Sequence, residues 1–434
     1  MDEGGRFWRF CRRALVAALA VAALAVALVP LAVTRINYPT LVFDLSDRLS
    51  PSVAKLVTNH TVRVDFRVRG NPGGGYAVLA SGTLLDWPFS ADIKVRLGWI
   101  SAEGGGEVSL DGTNWRADVD FRAKSASNWE FGAKIGETAF TLDDPVVGKM
   151  LSRLLPDPDG ASLSGALSLS AGGGKTPDAP VLAWSANASL KDIALGMPLG
   201  GGRLTVERLR TRVSASGIAG RTEIAPLYPR ADSVEAAGIV LSNVFANIRA
   251  TERSYLVTEA GADCCGGDLR LYSLFLDPER LNAGATVFAE RIDAGAVLAR
   301  VSGFRGEASG RLHGKLPFRL KDGRRLRLGE AYLFSPPGEG GKLRIDDARP
   351  MVEHLAMAGL DEASRKNLAE ALADLDYSVL RVEYSPGEDD EGALSVRLEG
   401  SATRKGRTVP VNIRVTTRGD LERLLNAGIG LSRR

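Results

Sequence analysis

Apolar and polar residues alternate with a period of two in several stretches of the chain. Between Val62 and Arg69, valine and phenylalanine alternate with arginine and aspartate, and a similar pattern recurs in Trp115–Lys124, Leu163–Leu169 and Val411–Thr416. This pattern is typical of strands that bury one face of a sheet and expose the other to water. The apolar positions are Val62, Val64, Phe66, Val68, Trp115, Val119, Phe121, Leu163, Leu167, Leu169, Val411, Ile413 and Val415.

Glycine-rich pieces separate these stretches, and the chain contains 49 glycines in 434 residues. Four clusters, at Gly70–Gly75, Gly104–Gly106, Gly172–Lys175 and Gly200–Gly202, are predicted turns, because glycine adopts the backbone conformations that tight turns need. Together with the alternation, they predict a mainly β protein with many short strands.

A β-hairpin is predicted between Leu312 and Leu328. Apolar residues fall on alternate positions up to Leu320, the turn residues Lys321-Asp322-Gly323 follow, and the alternation resumes at Leu326. Gly323 can adopt the positive φ that such a turn requires.

Helices are predicted late in the chain. In Leu360–Leu375, Leu368, Leu372 and Leu375 fall at i, i+4 and i+7 and form an apolar stripe. A shorter helix is predicted at Met351–Ala358 and a last one at Asp420–Leu431. The ordinary role of such stripes is to dock a helix onto a sheet; a separate membrane-binding helix is the alternative.

The apolar stretch Ala14–Val33 is a candidate transmembrane helix. Its twenty uncharged residues would form a helix about 30 Å long, which matches the hydrocarbon core of a bilayer. Four arginines precede it and only Arg35 follows closely, which predicts that residues 1–13 are cytoplasmic and that the rest of the chain is exported. The alternative is a cleaved signal peptide, whose apolar core is usually shorter.

Composition and motifs argue against catalysis and against nucleic-acid binding. The net charge is only +3, and the three histidines are far apart in sequence. The chain contains no P-loop, no nucleophile elbow and no metalloprotease motif. We therefore expect no enzymatic activity, no cofactor and no metal.

Two of the three cysteines, Cys264 and Cys265, are adjacent. Neighbouring residues of a strand point to opposite faces, so a vicinal disulfide would need a strained turn, which Gly266 and Gly267 would permit. The simpler interpretation is two small residues that enter a bend.

Alternation with a polar outer face permits three architectures. These are a two-sheet sandwich, a closed barrel, and a long curved sheet whose apolar face is incompletely covered. From the pattern alone, the sandwich is the simplest interpretation.

Several short motifs follow one another in the C-terminal part of the chain. They begin with Gly-x-x-x-Gly-x-Leu-x-Gly-x-Leu-Pro at Gly306–Pro317 and continue with Ser335–Gly338, Leu375–Leu380, Leu398–Gly400 and Val409–Asn412. In order and spacing they resemble the C-terminal domain of YdbH-like proteins, a branch of the AsmA/TamB group of bacterial envelope proteins. The residues singled out for this resemblance are Gly306, Gly310, Gly314, Leu316, Pro317, Gly323, Tyr377, Leu380, Gly400, Pro410 and Asn412.

The resemblance implies an elongated, twisted, U-shaped β-sheet whose apolar groove carries phospholipid between the inner and outer membranes. It also implies a single-pass inner-membrane protein with its bulk in the periplasm, and a small outer-membrane lipoprotein as a partner, joined by strand addition. On this basis we expect residues 34–230 to form the N-terminal part of the groove and residues 231–434 the C-terminal domain. The alternatives are an assembly or scaffolding factor for outer-membrane proteins and an exported β-sandwich that binds a protein partner.

Overall fold

The computed structural model describes residues 41–44, 61–70, 75–84, 86–98, 100–125, 127–154, 160–177, 181–199, 202–218, 221–236, 238–250, 254–277, 282–299, 305–321, 325–349, 352, 362–387, 392–404 and 407–419. These residues are mainly β, as the alternation predicts, with 25 strands and three helices. Among them, no helix combines the length and the hydrophobicity needed to cross a membrane. The predicted anchor Ala14–Val33, the predicted helix Asp420–Leu431 and all of Met351–Ala358 except Val352 lie outside the described residues.

The chain folds as two compact units. The first contains the described residues of Met1–Met197, Glu207–Pro229 and Arg249–Arg253, and the second contains those of Pro198–Val206, Arg230–Ile248 and Ser254–Arg434.

Eleven of the described strands lie mainly in the first unit, although Pro198–Val206 contributes the ends of two of them to the second unit. They are β1 (Leu41–Asp44), β2 (Thr61–Gly70), β3 (Tyr76–Leu84), β4 (Trp87–Leu97), β5 (Ala102–Leu110), β6 (Arg116–Ser125), β7 (Asn128–Thr141), β8 (Ser162–Lys175), β9 (Ala183–Leu199), β10 (Gly202–Ile218) and β11 (Arg221–Ile224). Each strand from β1 to β8 pairs antiparallel with the next one. β10 also pairs with β9, and its C-terminal end pairs antiparallel with β11.

The second unit contains shorter and more interrupted strands. They are β12 (Arg230–Ala236), β13 (Ile239–Ala250), β14 (Tyr255–Cys264), β15 (Gly267–Leu271), β16 (Leu274–Asp277), β17 (Asn282–Asp293), β18 (Gly306–Ala308), β19 (Arg311–Lys321), β20 (Arg325–Leu328), β21 (Ala331–Phe334), β22 (Gly341–Ile345), β23 (Leu375–Pro386), β24 (Gly392–Arg404) and β25 (Arg407–Gly419). β15 and β16 together fill the place of one strand between β14 and β17. β19 pairs with β17 on one side. On its other side, β20 and β21 pair with different parts of β19 and together fill the place of one strand. The sheet continues from β21 through β23 and β24 to β25, while β22 joins β23 to β18.

The predicted hairpin is present, because β19 pairs with β20 from Lys321 opposite Arg325 to Phe318 opposite Leu328. Two of the predicted turns are wrong. Gly104–Gly106 lies within β5 and Gly172–Lys175 within β8, so these glycines belong to strand interiors.

Three short helices cover parts of the sheet, and each lies at a buried cluster. α1 (Pro145–Leu154) packs on Trp115, Phe140 and Ile193. α2 (Ala294–Leu298) contributes to a cluster with Ile292 and Leu312.

The predicted helix in Leu360–Leu375 is present as α3 (Glu362–Leu372). It places Leu372 in a buried cluster against which Leu368 packs. Leu375 was predicted on the same stripe but is the first residue of β23, because the chain turns at Ala373 and Asp374. Leu375 nevertheless belongs to this cluster and is fully buried.

Candidate functional site

Rows of apolar residues cross the first unit at right angles to its strands. Residues paired across antiparallel strands lie on the same face of a sheet, so the registers define the rows directly. One row from β2 to β9 is Val68, Val78, Ile93, Gly106, Val119, Ala133, Ala171 and Ala186, and the next is Phe66, Ala80, Ala91, Val108, Ala117, Ile135, Leu169 and Ala188. We call these two the aliphatic rows, since Phe66 is their single aromatic member. With strands about 4.8 Å apart, they extend over about 34 Å.

Aromatic residues occur in the rows on either side. One flanking row from β3 to β9 is Tyr76, Val95, Gly104, Phe121, Phe131, Gly173 and Trp184. The opposite flanking row is Val64, Gly82, Phe89 and Leu110. The aliphatic rows with these flanking rows form what we call the first apolar face.

Glycines on this face make room for aromatic rings. A Cβ at Gly104 would lie 2.6 Å from the ring of Phe121 on the next strand, and one at Gly173 would lie 2.8 Å from the Cβ of Trp184. Gly104 and Gly173, which were predicted to lie in turns, therefore lie inside strands, where each leaves space for a large side chain on the neighbouring strand.

Exposure varies along the first apolar face. Val64 and Val78 are almost fully buried, whereas Val68, Val119, Phe121 and the three leucines of β8 are only partly buried. The leucines are Leu163, Leu167 and Leu169. The first apolar face is therefore not uniformly buried.

The opposite face of the same strands is charged. Arg96 forms an ion pair with Glu103 at 3.4 Å, and Arg122 forms one with Glu130 at 3.1 Å. These exposed pairs contribute little to stability. They do show that β4 to β7 carry charge on the face opposite their apolar residues.

Trp115 lies at the edge of the first apolar face, where α1 covers it. Its indole Nε1 donates hydrogen bonds to the two carboxylate oxygens of Asp144, at 3.1 and 3.0 Å. Leu163 and Leu167 pack against the same buried cluster. These three groove candidates lie together beneath a helix, whereas Val68, Val119 and Leu169 lie in the aliphatic rows and Phe121 beside them.

The second unit has an apolar face of its own. One row from β15 to β25 is Leu269, Ala289, Gly314, Leu333, Val382, Val396 and Val415. A neighbouring row on this face contains Leu271, Val287 and Leu316, which pair in that order across the sheet. Leu316 is 44% exposed. We call this the second apolar face.

The C-terminal strand adds three groove candidates to the second apolar face. Val411, Ile413 and Val415 pair with Gly400, Leu398 and Val396 of β24. All three are partly buried, and Val411 and Ile413 pack against the cluster beneath α3. Pro410 and Asn412 alternate with them and are exposed.

Several motif residues build a corner between β18, β22 and β23. Gly310 has φ +114, and a Cβ there would clash with the Tyr377 hydroxyl. That hydroxyl donates a hydrogen bond to the backbone oxygen of Ser309 at 2.5 Å. Burial, and secondarily the negative charge of Asp293, raises the pKa of Tyr377, so the phenol stays a neutral donor. Gly306 lies in the same corner, opposite Ile345.

Three other motif residues, Leu380, Gly400 and Pro317, make backbone contacts with neighbouring residues. Leu380 accepts a bond from Ser335 N at 2.8 Å and donates one to the Ser335 hydroxyl at 2.9 Å. Gly400 pairs with Tyr377, and Pro317 accepts a bond from Gly329 N at 2.8 Å. Gly323 lies outside the described residues.

Sequence reasoning identified Phe121 but missed the other aromatic residues of the flanking rows and the Asp144–Trp115 contact. Phe131 and Trp129 alternate with Glu130 and Gly132 in β7, which is the same signal that identified β6. The contact itself had no such signal, because it joins residues 29 positions apart.

One comparison with known proteins is informative. A family model described as YdbH-like, intermembrane phospholipid transport protein YdbH, matches residues 149–428. The chain therefore belongs to the YdbH-like family, as its C-terminal motifs predict. This membership associates the chain with phospholipid transport in the cell envelope. No curated protein and no solved structure matches the chain.

Proposed function

We propose that each apolar face holds lipid acyl chains while the headgroup stays in water, so that the chain acts as a groove for phospholipid moving between the inner and outer membranes. The observation that carries this proposal is the pair of aliphatic rows. They cross eight strands without a charged residue, and their members Val119 and Leu169 remain partly exposed. Membership of the YdbH-like family supports the choice of phospholipid as cargo.

The physics of an apolar trough fits this role without a chemical step. An acyl chain gains on the order of 0.8 kcal/mol for each CH₂ group removed from water. A row about 34 Å long, estimated from the strand spacing, would let a chain exchange one set of contacts for another as it advances. The proposed arrangement is an elongated, twisted, U-shaped sheet.

Phe121→Glu in the full chain tests the groove. A carboxylate beside the aliphatic rows would place an unpaired charge against acyl chains while the backbone bonds of β6 remain. We expect a folded protein from which co-purifying phospholipid, measured by mass spectrometry of the extracted lipids, is lost. Asp120→Lys, on the charged face of the same strand, is the matched control and should keep the lipid.

Two other results would overturn the groove. In a sandwich core, Phe121→Glu would collapse the thermal transition. In an assembly factor for outer-membrane proteins, the purified wild-type chain would carry polypeptide clients and no phospholipid.

We also propose that Ala14–Val33 anchors the chain in the inner membrane with its bulk in the periplasm. The arginines that precede this stretch support that orientation. A C-terminal alkaline phosphatase fusion should be active. An inactive fusion, together with an active cytoplasmic reporter at the same position, would contradict this topology.

The last strand offers a further place for a partner. In the described part of the chain, β25 pairs only with β24, and an open strand edge can accept a strand from another protein. We propose that a small outer-membrane lipoprotein adds there. A photo-cross-linker at Thr416 of β25 should yield an adduct with the lipoprotein. The matched control is a cross-linker at Glu383, two strands inward in the same row, which should yield none. Equal adducts at both positions would reject edge pairing.

A further inference from the structure

The adjacent cysteines lie at a tight turn in the second unit. Cys264 is the last residue of β14 and pairs with Gly267, the first residue of β15. Cys265 and Gly266 form the two-residue connection, with φ of 51° and 71°. Positive φ at both central residues is the mark of a type I′ hairpin turn.

This turn brings the two sulfur atoms together. Their Sγ atoms are 3.3 Å apart. Alternation along a strand would separate them, but it stops at Cys264, because the left-handed backbone of Cys265 redirects the next side chain. Cys264 is buried. Cys265 is partly buried and packs against the cluster of Ile292, Ala294 and Leu312.

The turn alone does not account for cysteine at position 265. The left-handed region disfavours most residues with a Cβ, and type I′ turns strongly prefer Asn, Asp or Gly at this place. A disfavoured residue in a strained backbone conformation points to a role for its side chain.

Contacts from outside the turn hold its backbone. Asp293 N donates a hydrogen bond to the oxygen of Cys265 at 2.8 Å. Arg311 donates from its guanidinium to the oxygens of Gly266 at 2.9 Å and Arg291 at 3.2 Å. None of these bonds uses a sulfur atom, so chemistry at the thiols leaves these anchoring groups in place.

We propose that Cys264 and Cys265 form a reversible thiol–disulfide couple. The oxidant is a disulfide compound, either a small molecule or another protein. The thiolate of Cys265 attacks one sulfur of that disulfide and releases one thiol, which leaves a mixed disulfide. The thiolate of Cys264 then attacks the Cys265 sulfur, closes the ring and releases the second thiol, so that two electrons and two protons pass from the pair to the oxidant.

Ring geometry makes this couple reversible. Cα atoms of adjacent residues joined by a trans peptide are about 3.8 Å apart, whereas disulfides usually join Cα atoms about 4.4–6.8 Å apart. A disulfide between neighbours is therefore strained, and strained disulfides are the more easily reduced, labile ones. The pair fits a redox-responsive site better than a permanent structural bridge.

Thiol mapping of the full chain tests the couple. The protein, with Cys11→Ser so that only the pair is scored, is equilibrated with oxidised and reduced glutathione at several ratios, alkylated, digested and analysed by mass spectrometry. Under oxidising conditions we expect the peptide with Cys264 and Cys265 to be unalkylated and lighter by two hydrogens. Excess reduced dithiothreitol should return it to the doubly alkylated form, with the thermal transition of the protein retained throughout.

Two variants serve as controls. Cys265→Ser should leave Cys264 either alkylated or joined to glutathione, and never in a bridge within the chain. Cys265→Asn, which suits a left-handed turn, should likewise form no bridge within the chain. Full alkylation of both cysteines at all ratios, or a cross-link that forms only between chains, would overturn the proposal.

Discussion

At the scale of single residues, Gly310 and Gly314 of the C-terminal motifs are positions where an added side chain would clash with a neighbouring residue. A Cβ at Gly314 would clash with the backbone oxygen of Tyr332 on the neighbouring strand, and its next contact, at 2.8 Å, is the side chain of Leu333. Gly310 faces the Tyr377 hydroxyl in the same way. The spacing of glycines in Gly306–Pro317 therefore follows the close packing of β19 and its neighbours.

Gly314→Val should destabilise the second unit by about 1–3 kcal/mol, because the added side chain must displace a paired strand. Lys321→Ala, at the exposed end of the same strand, should change stability by less than about 0.5 kcal/mol. Thermal melts of the two variants measure the difference. Equal melting temperatures would show that Gly314 is not in close contact with β21.

Tyr377→Phe should lower stability by about 1 kcal/mol at neutral pH, because Ser309 loses its hydrogen-bond donor. The pKa of the Tyr377 phenol is raised above its ordinary 10.0 in the folded protein, so its contribution is complete below about pH 10 and is lost as the pH rises through the folded-state value. Chemical denaturation from pH 8 upward should show the wild type losing its advantage over Tyr377→Phe in that range. A constant difference across the series would contradict this assignment.

At the scale of elements, the N-terminus of α1 connects a helix to the first apolar face. Asp144 caps the helix by accepting hydrogen bonds from Val146 N at 2.9 Å and Val147 N at 3.1 Å. The same carboxylate accepts the bonds from Trp115. One side chain thus fixes both the start of the helix and the indole beneath it.

Asp144→Ala should cost about 1–3 kcal/mol, the sum of a lost helix cap and an indole left without its acceptor. Asp143→Ala, at an exposed neighbouring position, should be nearly neutral. Urea denaturation followed by tryptophan fluorescence measures both variants. Similar midpoints for the two would mean that Asp144 does not organise this edge of the sheet.

Strands with strict alternation could be predicted from sequence, and long-range features could not. Val62–Val68 in β2 and Val411–Val415 in β25 carry a local period of two that survives folding. Gly104 of β5 and Gly173 of β8 gave a local turn signal, but the aromatic residues that need their space, Phe121 and Trp184, lie on neighbouring strands. A single-sequence pattern does not contain that pairing.

Helix prediction shows the same limit. The stripe of Leu368 and Leu372 identified α3, whereas Leu375 continued the stripe in sequence but begins a strand. α1 was missed although Asp144 and Pro145 are a capping residue and a favoured first helical residue. The helix has only 10 residues and contains Gly148, so its apolar residues do not show a clear helical period.

At the scale of the whole molecule, each unit carries an apolar face. In the first unit, Phe121 lies beside the aliphatic rows, and Asp120 lies on the charged face of the same strand. Membership of the YdbH-like family gives phospholipid as the cargo that such a face would hold. The central claim is that the apolar face is a surface for lipid and not an ordinary core.

Photo-cross-linking in living cells tests that claim most directly. A benzophenone amino acid replaces Phe121 in the full chain, and in a matched chain it replaces Asp120, one residue away on the opposite face. We predict a phospholipid adduct from position 121 and none from position 120, identified by mass spectrometry after irradiation. Adducts only within the protein from position 121, or lipid adducts of equal yield from both positions, would contradict a lipid groove on the first apolar face.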